Sequence, residues 1–217
     1  MIAGYNLHDG GSFVGRPHSM SDTDLGTYFA TRFGPNVVSD LDTTYPTLDI
    51  ALPPGCSMAF MRASSCETDW SYACETHMVA DALTKPQDRR SASQSPTLGG
   101  FSDDGVYIYE FSQVSASSGL CLHGADVPYV FGTVSSSTSV DALKVSAEVQ
   151  TLWATFAKTG IPSSDWPRWS AAKPQLLNIT APDSYVTGPA GTCPKFLERK
   201  WDYYKVCLPD NPDLCPM

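Results

Sequence analysis

No stretch of this chain approaches the ~18 consecutive apolar residues that a membrane-spanning helix needs, so no transmembrane segment is expected in its 217 residues. Basic runs are missing too, and the 14 Lys and Arg residues are outnumbered by 23 Asp and Glu. A net charge of −9, spread along the chain, argues against nucleic acid as a partner and reads as a solvated surface. There is no Cys-x-x-Cys and no paired Cys/His spacing of the kind that holds zinc, so a metal centre is not expected. The opening residues Met1-Ile2-Ala3-Gly4-Tyr5-Asn6 lack a basic stretch and a long apolar one, so they are not a signal peptide. No segment repeats, and no composition shift marks a domain boundary.

With 42% hydrophobic and 17% charged residues, the chain has the makings of a buried core. Its seven cysteines are Cys56, Cys66, Cys74, Cys121, Cys193, Cys207 and Cys215, a density that fits an oxidising compartment better than cytosol. The odd count leaves one thiol free, intermolecular or paired outside the chain. Cys56 with Cys66 is a plausible local pair. Asn178-Ile179-Thr180 is a glycosylation sequon, a short signal that also occurs by chance.

The apolar residues 1–5 read as the end of a buried strand, followed by a Gly-rich loop through Gly15. Ser21-x-x-Asp24 predicts a capped helix carrying Leu25, Phe29 and Phe33, stopped by Gly34-Pro35. A second short helical stretch ends at Tyr45-Pro46, and residues 53–65 show no clear pattern. Residues 67–83 read as a helix carrying Trp70, Cys74 and Met78, and 84–104 as a polar loop. Val106–Phe111, aromatic and β-branched, is the clearest strand. In residues 140–158, Val149, Leu152, Trp153 and Phe156 fall at i, i+3, i+4 and i+7, the clearest helix, ended by Gly160 and Pro162. Leu176-Leu177 sits in a short strand-like run, and 196–204 suggests a last helix with Leu197, Trp201 and Tyr204 on one face. Strand, helices, strand and helix with long connections predict a three-layer α/β protein.

The chemistry centres on His123-Gly124-Ala125-Asp126-Val127-Pro128-Tyr129-Val130-Phe131-Gly132. A histidine on a short turn before an apolar run pinned by proline can shuttle a proton, since imidazole titrates near neutrality. This segment resembles the catalytic-histidine loop of the type-B carboxylesterase/cholinesterase family of α/β-hydrolases. Leu152-Trp153-Ala154-Thr155-Phe156-Ala157-Lys158-Thr159-Gly160, followed by Trp166-Pro167, is similar to that family's late helix and Trp-Pro turn. Gly4-x-Asn6-x-His8-Asp9-Gly10-x-x-Phe13 resembles its acid-bearing loop. The order matches as well, and the likeness runs through nearly the whole chain.

The resemblance implies an α/β fold: residues 1–217 as a single partial domain, the C-terminal part of an α/β-hydrolase. It places His123 as the catalytic histidine and Asp9 at the acid position, where the family more often has glutamate. Read without it, Asp9 is a turn residue in a Gly-rich loop. The family also places a carboxylate at Asp126, buried and supporting the pair rather than belonging to it; a solvated turn carboxylate is the other reading. His8, His18 and His77 have no partner spacing and read as structural or exposed. A family disulfide suggests Cys74 with Cys193 or Cys207.

One element of the family's chemistry is missing. In α/β-hydrolases the serine nucleophile precedes the acid and the histidine, within G-x-S-x-G. No such motif occurs here, and neither does a His-Gly-Gly-Gly-type oxyanion segment; only eight residues precede Asp9. The expectation is that Met1 is an internal methionine of a longer enzyme. The resemblance implies a carboxylic ester hydrolase that needs no cofactor, acts on a small-molecule ester and is secreted. This chain alone is then expected to be inactive. The alternative is part of a catalytically dead adhesion or carrier domain, because fold does not dictate function.

Overall fold

A computed structural model describes residues 1–35, 38–47, 51–84, 105–135, 139–189 and 193. Its frame is a four-stranded sheet in sequence order: β1 (Ile2–Asn6), β2 (Tyr107–Phe111), β3 (Leu176–Ile179) and β4 (Tyr185–Thr187). The first three strands are parallel and β4 closes the order antiparallel. Side chains alternate across a strand, and β2 shows what that does here. Tyr107 and Phe111 pack with Val145, Val149, Leu152 and Trp166 on one face, while Ile108 packs with Ala73, Ala80 and Trp169 on the other. Both faces are therefore covered, as parallel sheets require.

The helices follow. Helix α1 (Asp22–Phe33) starts with the reciprocal cap that Ser21 and Asp24 predict and stops at Gly34. Helix α2 (Val38–Thr44) is followed by α3 (Met58–Thr68), a π-turn over Asp69–Ala73, and α4 (Cys74–Thr84). The short α5 (Val127–Val130) leads to α6 (Val140–Thr159), which ends on a left-handed Gly160. A second core lies between α1, α2 and α3, built from Leu25, Phe29, Leu41, Phe60 and Cys66. No helix among the described residues is long and apolar enough to cross a membrane.

Helix formation begins earlier than the pattern suggests, at Met58 rather than Glu67. Ser57 caps it, accepting from the Phe60 N–H at 3.1 Å. Eight of its 11 residues are buried, the polar Ser64, Glu67 and Thr68 among them, so no apolar stripe set against a polar face marks it in the sequence.

Two cysteine expectations meet the structure differently. Cys74 is bonded to Cys193, with Cα atoms 5.4 Å apart. The local pair Cys56–Cys66 does not form, and both are buried free thiols. Cys56 precedes the Ser57 cap, while Cys66 lies eight residues into α3, a rise of roughly 12 Å from Met58, far beyond the reach of a disulfide. Cys207 and the helix expected over 196–204 lie outside the described residues.

The sequon asparagine lies in the sheet. Asn178 is buried in β3, and its amide donates to Glu110 Oε1 at 2.7 Å and to Ser112 Oγ at 2.9 Å. A glycan on that nitrogen would replace one of its two N–H groups, so at most one of these bonds could persist beside it.

Candidate active site

In parallel sheets ligands bind outside the carboxyl ends of the strands. Here β1 ends at Asn6 and β2 at Phe111, side by side in register. Their outgoing segments stay zipped: the Leu7 N–H donates to Phe111 O and the His8 N–H to Cys121 O, each at 2.9 Å. His8 Nδ1 accepts from the Cys121 N–H at 3.0 Å. Burial holds His8 down to about 4, so it serves as a neutral acceptor.

Beyond β1 the chain tightens into a 3-10 turn, Asp9–Ser12. The Gly10 N–H donates to Thr68 Oγ1 at 2.9 Å, docking the turn on α3. Beyond β2, residues 123–126 form a turn in which Gly124 takes a φ of +75°, a conformation that favours glycine. The His123 N–H donates to Ser12 Oγ at 3.3 Å, tying the two turns together.

The side chains meet there. His123 Nδ1 lies 2.7 Å from Asp9 Oδ1 across 114 positions of sequence. The other oxygen, Asp9 Oδ2, accepts from the Asn6 N–H at 2.8 Å. Burial pushes the Asp9 carboxyl above the ordinary range. The Asn6 and His123 hydrogen bonds pull it down without cancelling that rise, and the nearby Asp126 charge adds to it. A carboxylate acceptor at Nδ1 fixes the imidazole with its proton on Nδ1 and leaves Nε2 as the proton-exchanging atom. Asp9 is only 4% exposed, whereas the His123 side chain is 51% exposed. The pair thus has a buried, oriented end and an open end. Phe13 and Tyr72 flank the imidazole, each with its ring centroid 5.2 Å away. Tyr72 reaches this position from the π-turn.

Asp126 stands behind the pair. Its Oδ2 accepts from the Tyr109 hydroxyl at 2.8 Å and its Oδ1 from Asn6 Nδ2 at 3.3 Å. It is half-buried and hydrogen-bonded, so the reading as a freely solvated turn carboxylate fails. His77 sits apart from the pair, stacked on Trp169 with 4.9 Å between ring centroids. Among the described residues, no three His, Cys, Asp or Glu side chains gather as a metal would require. Two roles escaped the sequence: Asn6, whose backbone N–H and side-chain amide together bridge the two turns, and Thr68, which holds the acid turn from the last residue of α3.

A family model described as the carboxylesterase family matches residues 58–193, more than half of the chain and inclusive of His123. The chain belongs to the carboxylesterase family. Among curated proteins, para-nitrobenzyl esterase of Bacillus subtilis (strain 168) is 25% identical over an alignment of 125 residues, with 54% of this chain and 25% of that protein covered. Among solved structures, a PNB esterase matches with a TM-score of 0.57 at 19% identity, covering 92% of this chain and 37% of that one. The Aspergillus niger EstA structure matches with a TM-score of 0.61 at 18% identity, covering 96% and 40%. At these identities the structural likeness is one of fold, the α/β-hydrolase architecture of esterases, and the chain spans at most two-fifths of these relatives' length.

Proposed function

We propose that this chain supplies the acid and base of a serine carboxylic-ester hydrolase, with the nucleophilic serine and oxyanion donors contributed by polypeptide outside these 217 residues. The observation that carries this reading is the 2.7 Å contact between Asp9 Oδ1 and His123 Nδ1, two residues on separate turns that the sheet brings together. In this role His123 Nε2 takes the proton from a serine hydroxyl as it attacks the ester carbonyl. It then returns that proton to the departing alkoxide, and repeats the cycle with water to release the acid. Asp9 keeps the ring in the productive tautomer and stabilises the imidazolium. Family membership supports an ester as substrate, and the Cys74–Cys193 bond supports an oxidising, secretory setting.

The reading is tested with a short-chain activated ester. The 217-residue chain and its His123→Ala variant should share one background rate. In a longer polypeptide carrying G-x-S-x-G, His123→Ala and Asp9→Asn should each cut kcat by on the order of 10⁴. Turnover by this chain alone that collapses in His123→Ala would overturn the placement of the nucleophile. A coding sequence that continues upstream of Met1 without G-x-S-x-G would overturn the hydrolase itself.

A further inference from the structure

Asn6 ends β1, is buried, and makes three hydrogen bonds that run to both turns. Its N–H donates to Asp9 Oδ2 at 2.8 Å. Its side-chain nitrogen donates to the carbonyl of Leu122, the residue before His123, at 3.0 Å and to Asp126 Oδ1 at 3.3 Å. Asp126 in turn is fixed by the Tyr109 hydroxyl from β2 at 2.8 Å. Burial, first, and then the Asp126 charge raise the Tyr109 phenol, so it remains protonated and a donor. Asn6 Oδ1 is buried and finds no partner among the described residues. An amide held with its acceptor unpaired and both donor contacts directed at the histidine turn is there for its N–H groups.

We propose that Asn6 is a positioning residue for the Asp9–His123 pair, clamping the acid with its backbone N–H and the histidine turn with its side-chain amide. This rests on the acid–base reading given above and extends it. No other described side chain bonds the histidine turn while its own main chain holds the acid. A same-sized residue without donors should therefore loosen the turn while leaving the strand in place. Asn6→Asp is that change: it keeps the backbone bond to Asp9, removes both N–H donors and sets a carboxylate against Asp126.

The readout is the low-field Nδ1–H resonance of His123 in the full chain labelled with ¹⁵N-histidine, assigned by its loss in His123→Ala. Asn6→Asp should speed solvent exchange of that proton at least tenfold. The paired change Asn6→Asp with Asp126→Asn, which restores a donor facing an acceptor at position 126 but none for the Leu122 carbonyl, should recover part of the protection. Exchange within twofold of wild type in Asn6→Asp overturns the inference, and so does a paired variant no better protected than the single one. If Asn6→Asp lacks a native circular-dichroism spectrum, Asp126→Ala replaces it. That variant removes the acceptor shared by Asn6 and Tyr109, and unchanged exchange in it also overturns the inference. Asp9→Asn separates the two levels. If it leaves the resonance untouched, the acid–base reading fails. If it abolishes the resonance while the Asn6 variants do not alter it, only the role of Asn6 fails.

Discussion

Gly10 stands directly against Thr68: its N–H donates to Thr68 Oγ1 at 2.9 Å, and a Cβ built on it would overlap the Thr68 amide nitrogen. The obstacle is helix backbone rather than the end of a flexible side chain. Gly10→Ala must therefore push the acid-bearing turn away from α3 and carry Asp9 with it. The expected cost is about 2–3 kcal/mol, as for other overpacked sites, which is roughly a 5–10 °C fall in Tm for a domain of this size. Gly26→Ala is the control. It lies inside α1 with no atom within 4 Å of the new methyl and should be neutral or stabilising by up to ~1 kcal/mol. Equal Tm values for the two variants would refute the packing account.

Asp9 gives the pH dependence a defined sign. Its carboxyl is held above the ordinary value of 3.8, first by burial. The folded state thus binds that proton more tightly than the unfolded chain does. The group's contribution to stability is greatest below 3.8 and falls as pH rises through the folded value. In Asp9→Asn that dependence disappears. The unfolding free energy of wild type minus that of Asp9→Asn should decline between pH 4 and neutrality and then level off. Urea titrations at stepped pH measure this; a difference that climbs with pH would mean that the His123 and Asn6 bonds outweigh burial.

Glu67 has the opposite sign. Burial alone would raise it. The Arg32 guanidinium and the hydroxyls of Ser71 and Tyr28 outweigh that and hold it below the ordinary range. Its contribution is present at neutral pH and lost as pH falls through the folded value. Arg32→Ala should cost about 1–3 kcal/mol at pH 7, a figure kept low because the arginine side chain is 46% exposed and water screens it. The cost should shrink in acid, where Glu67 takes a proton. A loss of the same size at pH 7 and pH 3 would show that the aliphatic stem of Arg32, not its charge, does the stabilising.

How far the sequence led differs from residue to residue, for physical reasons. The cap at Ser21, the strand over 107–111 and the helix over 140–159 were legible because each is amphipathic or locally encoded. Helix α3 was not, because burial on nearly all sides erased its periodicity. Asp9 and His123 were found through resemblance. Their contact depends on two parallel strands lying in register, which no local pattern encodes. Asn6 stood in the acid-loop motif without a role, since its partners Leu122 and Asp126 are 116 and 120 positions away. Cys56 and Cys66 misled because sequence proximity says nothing of the helical rise between them.

The Cys74–Cys193 bond closes a covalent loop of 119 positions. It joins the start of α4 to a point beyond β4. In the chain-entropy model such a loop stabilises by about 5 kcal/mol, an upper figure if the unfolded chain keeps residual structure. Non-reducing peptide mapping should therefore recover a Cys74–Cys193 peptide. Cys56, Cys66 and Cys121 should resist thiol reagents until the chain unfolds, for all three are buried; burial pushes the Cys121 thiol up to about 12, where thiolate is scarce at neutral pH. Denaturation with and without reductant then reads the bond's worth. A midpoint unmoved by reduction would mean that the two segments are held by packing alone. A shift reproduced by Cys74→Ala/Cys193→Ala, and insensitive to further reductant, would assign the effect to this bond.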